Sequence, residues 1–217
     1  MNEEVFYYFL LTHLIGDYVF QTSYIAKYKN SKVKVLMLHI FIIFLSMFLL
    51  LIPSSLSIYN LNLILLLTFI HLLIDTIKFK NRTKKAFNSH TYYILDQVMH
   101  FSSLILISLM YKPENMFISF EYTKLFAIGL LNAYFISLLF YMIDGFSKPY
   151  KRDYLGYVFR FSLPFIKYYS DILFLIFSFV FVFISIVIFY KKEEFNSKSE
   201  LGPLSLSIII TYLTIWR

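Results

Sequence analysis

The chain has 217 residues, of which 59% are hydrophobic and only 15% are charged. Because a soluble domain carries about 25% charged residues, this composition excludes an ordinary soluble protein and indicates an integral membrane protein. The absence of cysteine excludes disulfides, iron–sulfur clusters and thiolate zinc sites, and no nucleic-acid-binding motif accompanies the net charge of +7.

Hydropathy predicts an all-α fold, a polytopic membrane bundle of about seven transmembrane helices. The helices are predicted near residues 5–25, 35–52, 61–78, 92–111, 123–143, 170–190 and 201–217. Residues 1–111 form a predicted four-helix core that carries the candidate polar site. Residues 112–217 supply C-terminal helices that act as scaffold or lipid-facing surface.

Basic residues are concentrated in alternate connections between these helices. Residues 26–34, 78–91 and 144–169 contain four, five and five lysines or arginines, whereas residues 53–60 contain none. Cytoplasmic loops of membrane proteins carry an excess of lysine and arginine. The pattern therefore predicts a chain embedded in the cytoplasmic membrane with its N-terminus outside and its C-terminus inside.

Histidine and aspartate occur in three pairs within the predicted helices: His13 with Asp17, His71 with Asp75, and Asp96 with His100. The members of each pair are four residues apart, so both side chains share one helix face. A charged side chain at the centre of a membrane helix costs about 2.5–3.5 kcal/mol and is usually functional. With the predicted orientation, all three pairs fall in one layer near the cytosolic surface, which favours one convergent site.

The six paired residues are the predicted metal ligands, because histidine and carboxylate together suit divalent transition metals, Zn²⁺ or Mn²⁺ in particular. Six ligands are enough for two ions. Asp17 and Asp96 are also candidate catalytic residues that accept a proton. The alternative interpretation of each pair is a polar clamp between two helices.

Other polar residues are assigned to positions around these ligands. Gln21, His39 and Gln97 are predicted to orient the ligands through hydrogen bonds, although His39 equally fits a direct ligand or a structural histidine bonded to a backbone carbonyl. Lys78 and Lys27 are the candidate anion-binding residues, because a lysine near the membrane surface attracts phosphate. Lys78 equally fits a lysine whose charged end extends to the membrane interface.

Three motifs resemble an uncharacterised family of bacterial membrane proteins catalogued as domain of unknown function 3307: His13-Leu-Ile-Gly-Asp17-Tyr-Val-Phe-Gln21, His71-Leu-Leu-Ile-Asp75-Thr-Ile-Lys78 and Asp96-Gln97-Val-Met-His100. The similarity covers residues 8–105, where the motifs occur in the order of the family. It implies a bacterial membrane setting and a common site but supplies no reaction. The segment His71-Leu-Leu-Ile-Asp75-Thr is also similar, more weakly, to membrane-bound metal-dependent hydrolases.

The function expected first is a metal-dependent hydrolase that acts on a phosphorylated lipid, or on another membrane substrate, near the cytosolic leaflet. A non-enzymatic structural or regulatory metal-binding protein is the first alternative. A divalent-cation or proton transporter is the second, although the ionisable residues stop near mid-depth and leave no polar path through the outer half of the membrane.

Overall fold

The computed structural model describes residues 3–144, 153–190 and 197–216. Within these ranges the regular elements are helical, which confirms the predicted all-α class. The α-helices are α1 (Glu3–Leu14), α2 (Ser23–Tyr28), α3 (Val33–Leu50), α4 (Ile58–Lys80), α5 (His90–Ser108), α6 (Phe120–Leu130), α7 (Ile136–Ile143), α8 (Tyr154–Tyr169), α9 (Asp171–Tyr190) and α10 (Ser197–Thr214). One π-helical turn, Ile15–Val19, follows α1, and a second, Leu131–Phe135, joins α6 to α7.

Three helical segments are long and apolar enough to cross a membrane: Val33–Leu50, Ile58–Lys80 and Phe120–Ile143. Two shorter apolar helices cover Asp171–Val187 and Leu201–Thr214. Among the described residues this is fewer than the seven spans predicted from hydropathy. At the N-terminus the difference has a local cause, because α1 gives way to the π-turn after 12 residues.

The chain divides into two compact units, Met1–Ala127 and Ile128–Arg217. In the first unit, α1 packs against α3 and α5, and α4 packs against the same two helices. The four helices therefore form a closed ring, and their inward faces meet in its interior. Buried apolar residues of these helices include Phe9, Ile43, Met47, Ile64 and Leu104.

In the second unit, α8 packs against the π-turn Leu131–Phe135, α9 and α10. The unit has an apolar core that contains Phe159, Leu163, Phe174 and Leu204. Residues 144–169 were predicted as a polar connection, but 154–169 form a helix. Asp153 caps this helix by accepting the Gly156 N–H at 2.9 Å. Residues 145–152 of the predicted connection lie outside the described ranges.

Candidate metal centre

Asp17 lies in the π-helical turn Ile15–Val19 that directly follows α1. Turns of this kind are rare and occur frequently at functional sites. The Gln21 amide donates to the Asp17 backbone carbonyl at 2.8 Å and so supports the end of the turn. Asp17 Oδ2 lies 3.4 Å from His13 Nε2 on α1, while Asp17 Oδ1 faces α3 and α4.

Gly16 allows α3 to pack closely against this turn. A Cβ atom at Gly16 would lie 2.6 Å from Ile43 Cδ1 and 3.4 Å from Ile43 Cα. A larger residue would therefore require at least the end of the Ile43 side chain to move. Ile43 is one helical turn beyond His39, so the close approach at Gly16 brings the His39 imidazole towards Asp17.

Four donor atoms converge from the π-turn, α3 and α4, and we call them the donor cluster: Asp17 Oδ1, His39 Nε2, His71 Nε2 and Asp75 Oδ2. His39 Nε2 lies 3.1 Å from Asp17 Oδ1, 3.3 Å from Asp75 Oδ2 and 3.3 Å from His71 Nε2. His71 Nε2 lies 3.6 Å from Asp75 Oδ2 and 3.8 Å from Asp17 Oδ1. All four residues are buried, so their polar atoms are removed from bulk water.

These contacts exceed what hydrogen bonding can satisfy. His39 Nε2 carries either one proton or one lone pair, yet three atoms of the donor cluster surround it. Asp17 Oδ1 and Asp75 Oδ2 make no hydrogen bond within the described part of the chain, although His39 Nε2 is close to both. The two carboxylate oxygens therefore offer lone pairs that a cation can stabilise in this buried site, and one cation of the protein, the Lys29 ammonium, lies 3.8 Å from Asp75 Oδ2 and 4.0 Å from Asp17 Oδ1.

A divalent metal ion fits the spacing of these atoms. Nitrogen and oxygen ligands lie about 2.0–2.2 Å from zinc, so tetrahedral ligands are about 3.3–3.6 Å from one another. The five separations that involve His39 or His71 range from 3.1 to 3.8 Å. Asp17, His39 and His71 form one group of potential ligands, and Asp75 shares a second group with His71. Two imidazoles with two carboxylates suit Zn²⁺, Mn²⁺ or Fe²⁺ better than Ca²⁺ or Mg²⁺, which prefer oxygen ligands alone. His39, assigned to a supporting position from the sequence, is thus a candidate ligand.

His100 joins a second group of ligand atoms with His71 and Asp75, all within 4.8 Å of one another. The His100 and His71 rings are 4.3 Å apart between centroids. His100 Nδ1 donates to the Asp96 backbone carbonyl at 2.8 Å, which leaves a lone pair on Nε2. That Nε2 atom is buried and has no hydrogen-bond partner among the described residues. His100 can therefore serve a second ion or accept a proton beside the first.

His13 lies next to the donor cluster and contacts it through Asp17. Its ring centroid is 5.4 Å from that of His71 and 5.3 Å from that of His100. His13 is fully buried, and in the described ranges neither ring nitrogen has a hydrogen-bond partner. His13 on α1 and His100 on α5 face each other and thus extend the polar site beyond the four donor atoms.

Asp96 is engaged differently from the other predicted ligands. Its Oδ2 atom lies 3.6 Å from Lys78 Nζ and accepts a hydrogen bond from Gln97 Nε2 at 3.3 Å. The Gln97 carbonyl oxygen lies 3.5 Å from the Tyr18 hydroxyl. Asp96 belongs to neither of the two groups of potential metal ligands found in the described residues. Lys78, predicted to bind an anion, is therefore placed beside a carboxylate of the protein itself.

Lys29 is a site residue that the sequence analysis missed. Its Nζ atom lies 3.2 Å from His39 Nε2, 3.8 Å from Asp75 Oδ2 and 4.0 Å from Asp17 Oδ1. Burial alone lowers the pKa of the Lys29 ammonium, but the carboxylates of Asp75 and Asp17 outweigh it and the net pKa is raised. The ammonium therefore stays charged and caps one face of the donor cluster.

Helix α2 explains how Lys29 reaches this position. The Thr22 hydroxyl accepts the Ile25 N–H at 3.3 Å and starts the helix directly after Gln21. Lys29 follows the last residue of α2, and its N–H donates to Ile25 O at 2.9 Å. Lys27 is exposed on the same helix, with its Nζ 5.2 Å from the centroid of the Tyr28 ring. Lys27 lies within α2 and Lys29 directly follows it, so the two side chains leave the chain in different directions. The sequence spacing of the two lysines did not show this difference.

Comparisons with known proteins identify the family of the first unit. No curated protein and no solved structure matches the chain. One family model, described as "Protein of unknown function (DUF3307)", matches residues 5–127, which is more than half of the chain and includes the donor cluster and Lys29. The resemblance noted from the three motifs is confirmed, and the chain belongs to this family of proteins of unknown function.

Proposed function

We propose that this protein is a membrane-embedded hydrolase that depends on a divalent transition metal and acts on a phosphorylated lipid or another membrane substrate. The observation that carries the proposal is the donor cluster of the π-turn, α3 and α4, in which the two buried imidazole nitrogens lie 3.1–3.8 Å from each other and from the two carboxylate oxygens. Histidine and carboxylate ligands of this kind hold the metal in several classes of metal-dependent hydrolase.

The proposed setting is a bundle of about seven transmembrane helices in the bacterial cytoplasmic membrane, with the N-terminus outside. Its support is the alternating charge of the connections and the three helical segments long enough to cross a membrane. In this setting the donor cluster lies near the cytosolic leaflet, where a lipid headgroup presents its phosphate.

A metal bound at the donor cluster would polarise a phosphoryl oxygen and lower the pKa of a water molecule. The two carboxylates of the cluster neutralise the divalent charge. His100 Nε2 and Asp96 Oδ1 are buried atoms without a hydrogen-bond partner in the described ranges, and His100 shares a group of potential ligands with His71 and Asp75. Either can accept a proton from the attacking water, whereas Asp17 is better placed as a ligand than as a base.

A second candidate function, a structural or regulatory metal site, is favoured by one observation. Structural zinc sites are closed by four protein ligands, whereas catalytic sites keep an open position. The donor cluster offers four ligands, and the His39 side chain is completely buried. A metal held in this way would fix the π-turn, α3 and α4 to one another.

The test begins with metal analysis of the purified protein in detergent, before and after reconstitution with Zn²⁺ or Mn²⁺. We expect close to one or two ions per chain in the wild type and loss of metal in His39→Ala and His71→Ala. Ser46→Ala is the matched control, because Ser46 is a buried polar residue of α3 whose hydroxyl bonds to its own helix.

Phosphate release is then measured from vesicles that contain phosphatidic acid or a polyprenyl phosphate. Metal-dependent release that is lost in His39→Ala supports the hydrolase. Bound metal without hydrolysis of these lipids or of ester and amide lipids favours the structural candidate. A wild type that binds no transition metal after reconstitution contradicts both.

A further inference from the structure

We infer that Lys29 and the metal of the donor cluster together form a binding site for the phosphate group of a monoester. The inference rests on the proposed metal site and names the chemistry of the ligand at that site. It concerns a residue different from the two lysines singled out by sequence, because Lys78 is beside Asp96 and Lys27 is exposed.

Charge balance in the buried site is the first argument. The donor cluster and Lys29 include two carboxylates and one ammonium, so without a metal the group carries a single net negative charge when its histidines are neutral. A divalent ion converts this to a single net positive charge. Uncompensated buried charge is strongly unfavourable. An anion is therefore needed to balance the net positive charge of the metal-loaded site.

The position of the ammonium is the second argument. Lys29 Nζ is within 4.0 Å of His39 Nε2, Asp75 Oδ2 and Asp17 Oδ1, so it lies over the face that these atoms form. A divalent ion among the donor atoms and the ammonium would be close neighbours of like charge. An anionic oxygen between them interacts favourably with both, whereas direct approach of the two cations is repulsive.

Accessibility of this edge is the third argument. The Lys29 side chain is 13% exposed, whereas the His39 side chain is fully buried. Asp17 is the most exposed residue of the donor cluster, at 6%. The edge of the cluster nearest to the protein surface is therefore the edge that carries the ammonium, and a ligand arriving from the surface meets Lys29 first.

A phosphate monoester matches this site better than a phosphodiester. A monoester has a terminal phosphate with three unesterified oxygens and a negative charge of about 1.5 to 2 at pH 7, so separate oxygens can reach the metal and the ammonium. Free inorganic phosphate and the headgroup of phosphatidic acid share this chemistry, and the experiment below distinguishes them.

Lysine-to-methionine substitution separates this role from a structural one, because it predicts effects of opposite sign on two ligands. Lys29→Met removes a cation that competes for the carboxylates, so the affinity for Mn²⁺ should rise by about tenfold. The same change removes one partner of the anion, so the affinity of the Mn²⁺-loaded protein for phosphate should fall by about tenfold or more. Lys34→Met is the matched control, because Lys34 is exposed near the start of α3, and it should leave both affinities within about twofold.

The measurement uses the full chain in lipid nanodiscs, with Mn²⁺ affinity from titration calorimetry and phosphate binding from paramagnetic broadening of the ³¹P signal by bound Mn²⁺. One arm adds inorganic phosphate to nanodiscs of phosphatidylcholine, and the other incorporates phosphatidic acid. Broadening in either arm that decreases in Lys29→Met and is restored in part by Lys29→Arg supports the inference and identifies the source of the phosphate.

Two results overturn the inference. Mn²⁺ binding to the wild type without broadening in either arm shows that no phosphate is held beside the metal, and it leaves the proposed metal site intact. Parallel loss of both affinities in Lys29→Met assigns Lys29 a structural role only. Absence of Mn²⁺ and Zn²⁺ binding to the wild type instead contradicts the proposed function itself.

Discussion

Two groups of polar residues in the first unit both contain a buried aspartate near a lysine, but the other partners of the carboxylate differ. In the donor cluster, His39 Nε2 lies within 3.3 Å of two carboxylates and a second imidazole nitrogen. On α5, the Asp96 carboxylate is near the Lys78 ammonium and accepts a hydrogen bond from Gln97. The Asp96 carboxylate is thus paired by a lysine and an amide, whereas Asp17 and Asp75 share one lysine and one imidazole nitrogen.

The largest expected effect comes from removing the central nitrogen of the donor cluster. His39→Ala should weaken Zn²⁺ or Mn²⁺ binding by more than about 100-fold, because even residues that only support a metal ligand contribute 10–100-fold. The measurement is titration of the metal-free protein in detergent. A loss of less than about tenfold would show that the cluster is not the primary metal site.

The next prediction sets Asp75 directly against Asp96. Asp75→Asn keeps the size of the side chain but removes a charge from the donor cluster, so metal affinity should fall by about 30-fold or more. Asp96→Asn makes the same chemical change beside Lys78 and should alter metal affinity by less than about fivefold. Equal losses of metal affinity in the two variants would contradict the assignment of Asp75, but not Asp96, as a metal ligand.

Metal addition should also stabilise the folded protein. At a metal concentration 100 times the dissociation constant, binding to the native state alone contributes about 2.7 kcal/mol. The thermal midpoint of the wild type should therefore rise with Zn²⁺ or Mn²⁺ and fall again with a chelator. Asp96→Asn should retain this rise, and a His71→Ala protein that shows the same rise would contradict the assignment of His71 as a ligand.

A smaller effect is expected from the packing that places His39. Gly16→Ala puts a Cβ atom 2.6 Å from Ile43 Cδ1, and overpacking of this kind typically costs about 1–3 kcal/mol. Because Ile43 Cδ1 is the end of a flexible side chain, we expect about 1 kcal/mol of lost stability and a several-fold loss of metal affinity. The double variant with Ile43→Val should recover part of the affinity if the close approach is the cause.

The sequence alone predicted the all-α class and the family of this chain. It also selected the histidines and aspartates of the first unit, because ionisable residues stand out in apolar helices and the four-residue spacing places pairs on one face. Hydropathy predicted about seven spans, whereas three helical segments of the described residues are long and apolar enough to cross a membrane. A hydropathy window does not detect that α1 changes to a π-turn at Ile15.

The tertiary structure decided which of these residues act together. The reason is that residue spacing within one helix does not determine which other helix it packs against. His39 stands alone in its helix and has no paired aspartate in sequence, yet the close approach at Gly16 brings it against Asp17. Lys29 and Lys27 look equivalent in sequence, but only Lys29 reaches the donor cluster, because the helix that starts at Thr22 sets their directions. The sequence identified the histidines and aspartates of the first unit as polar groups within apolar helices, and the packing of four helices determined which of them face one another.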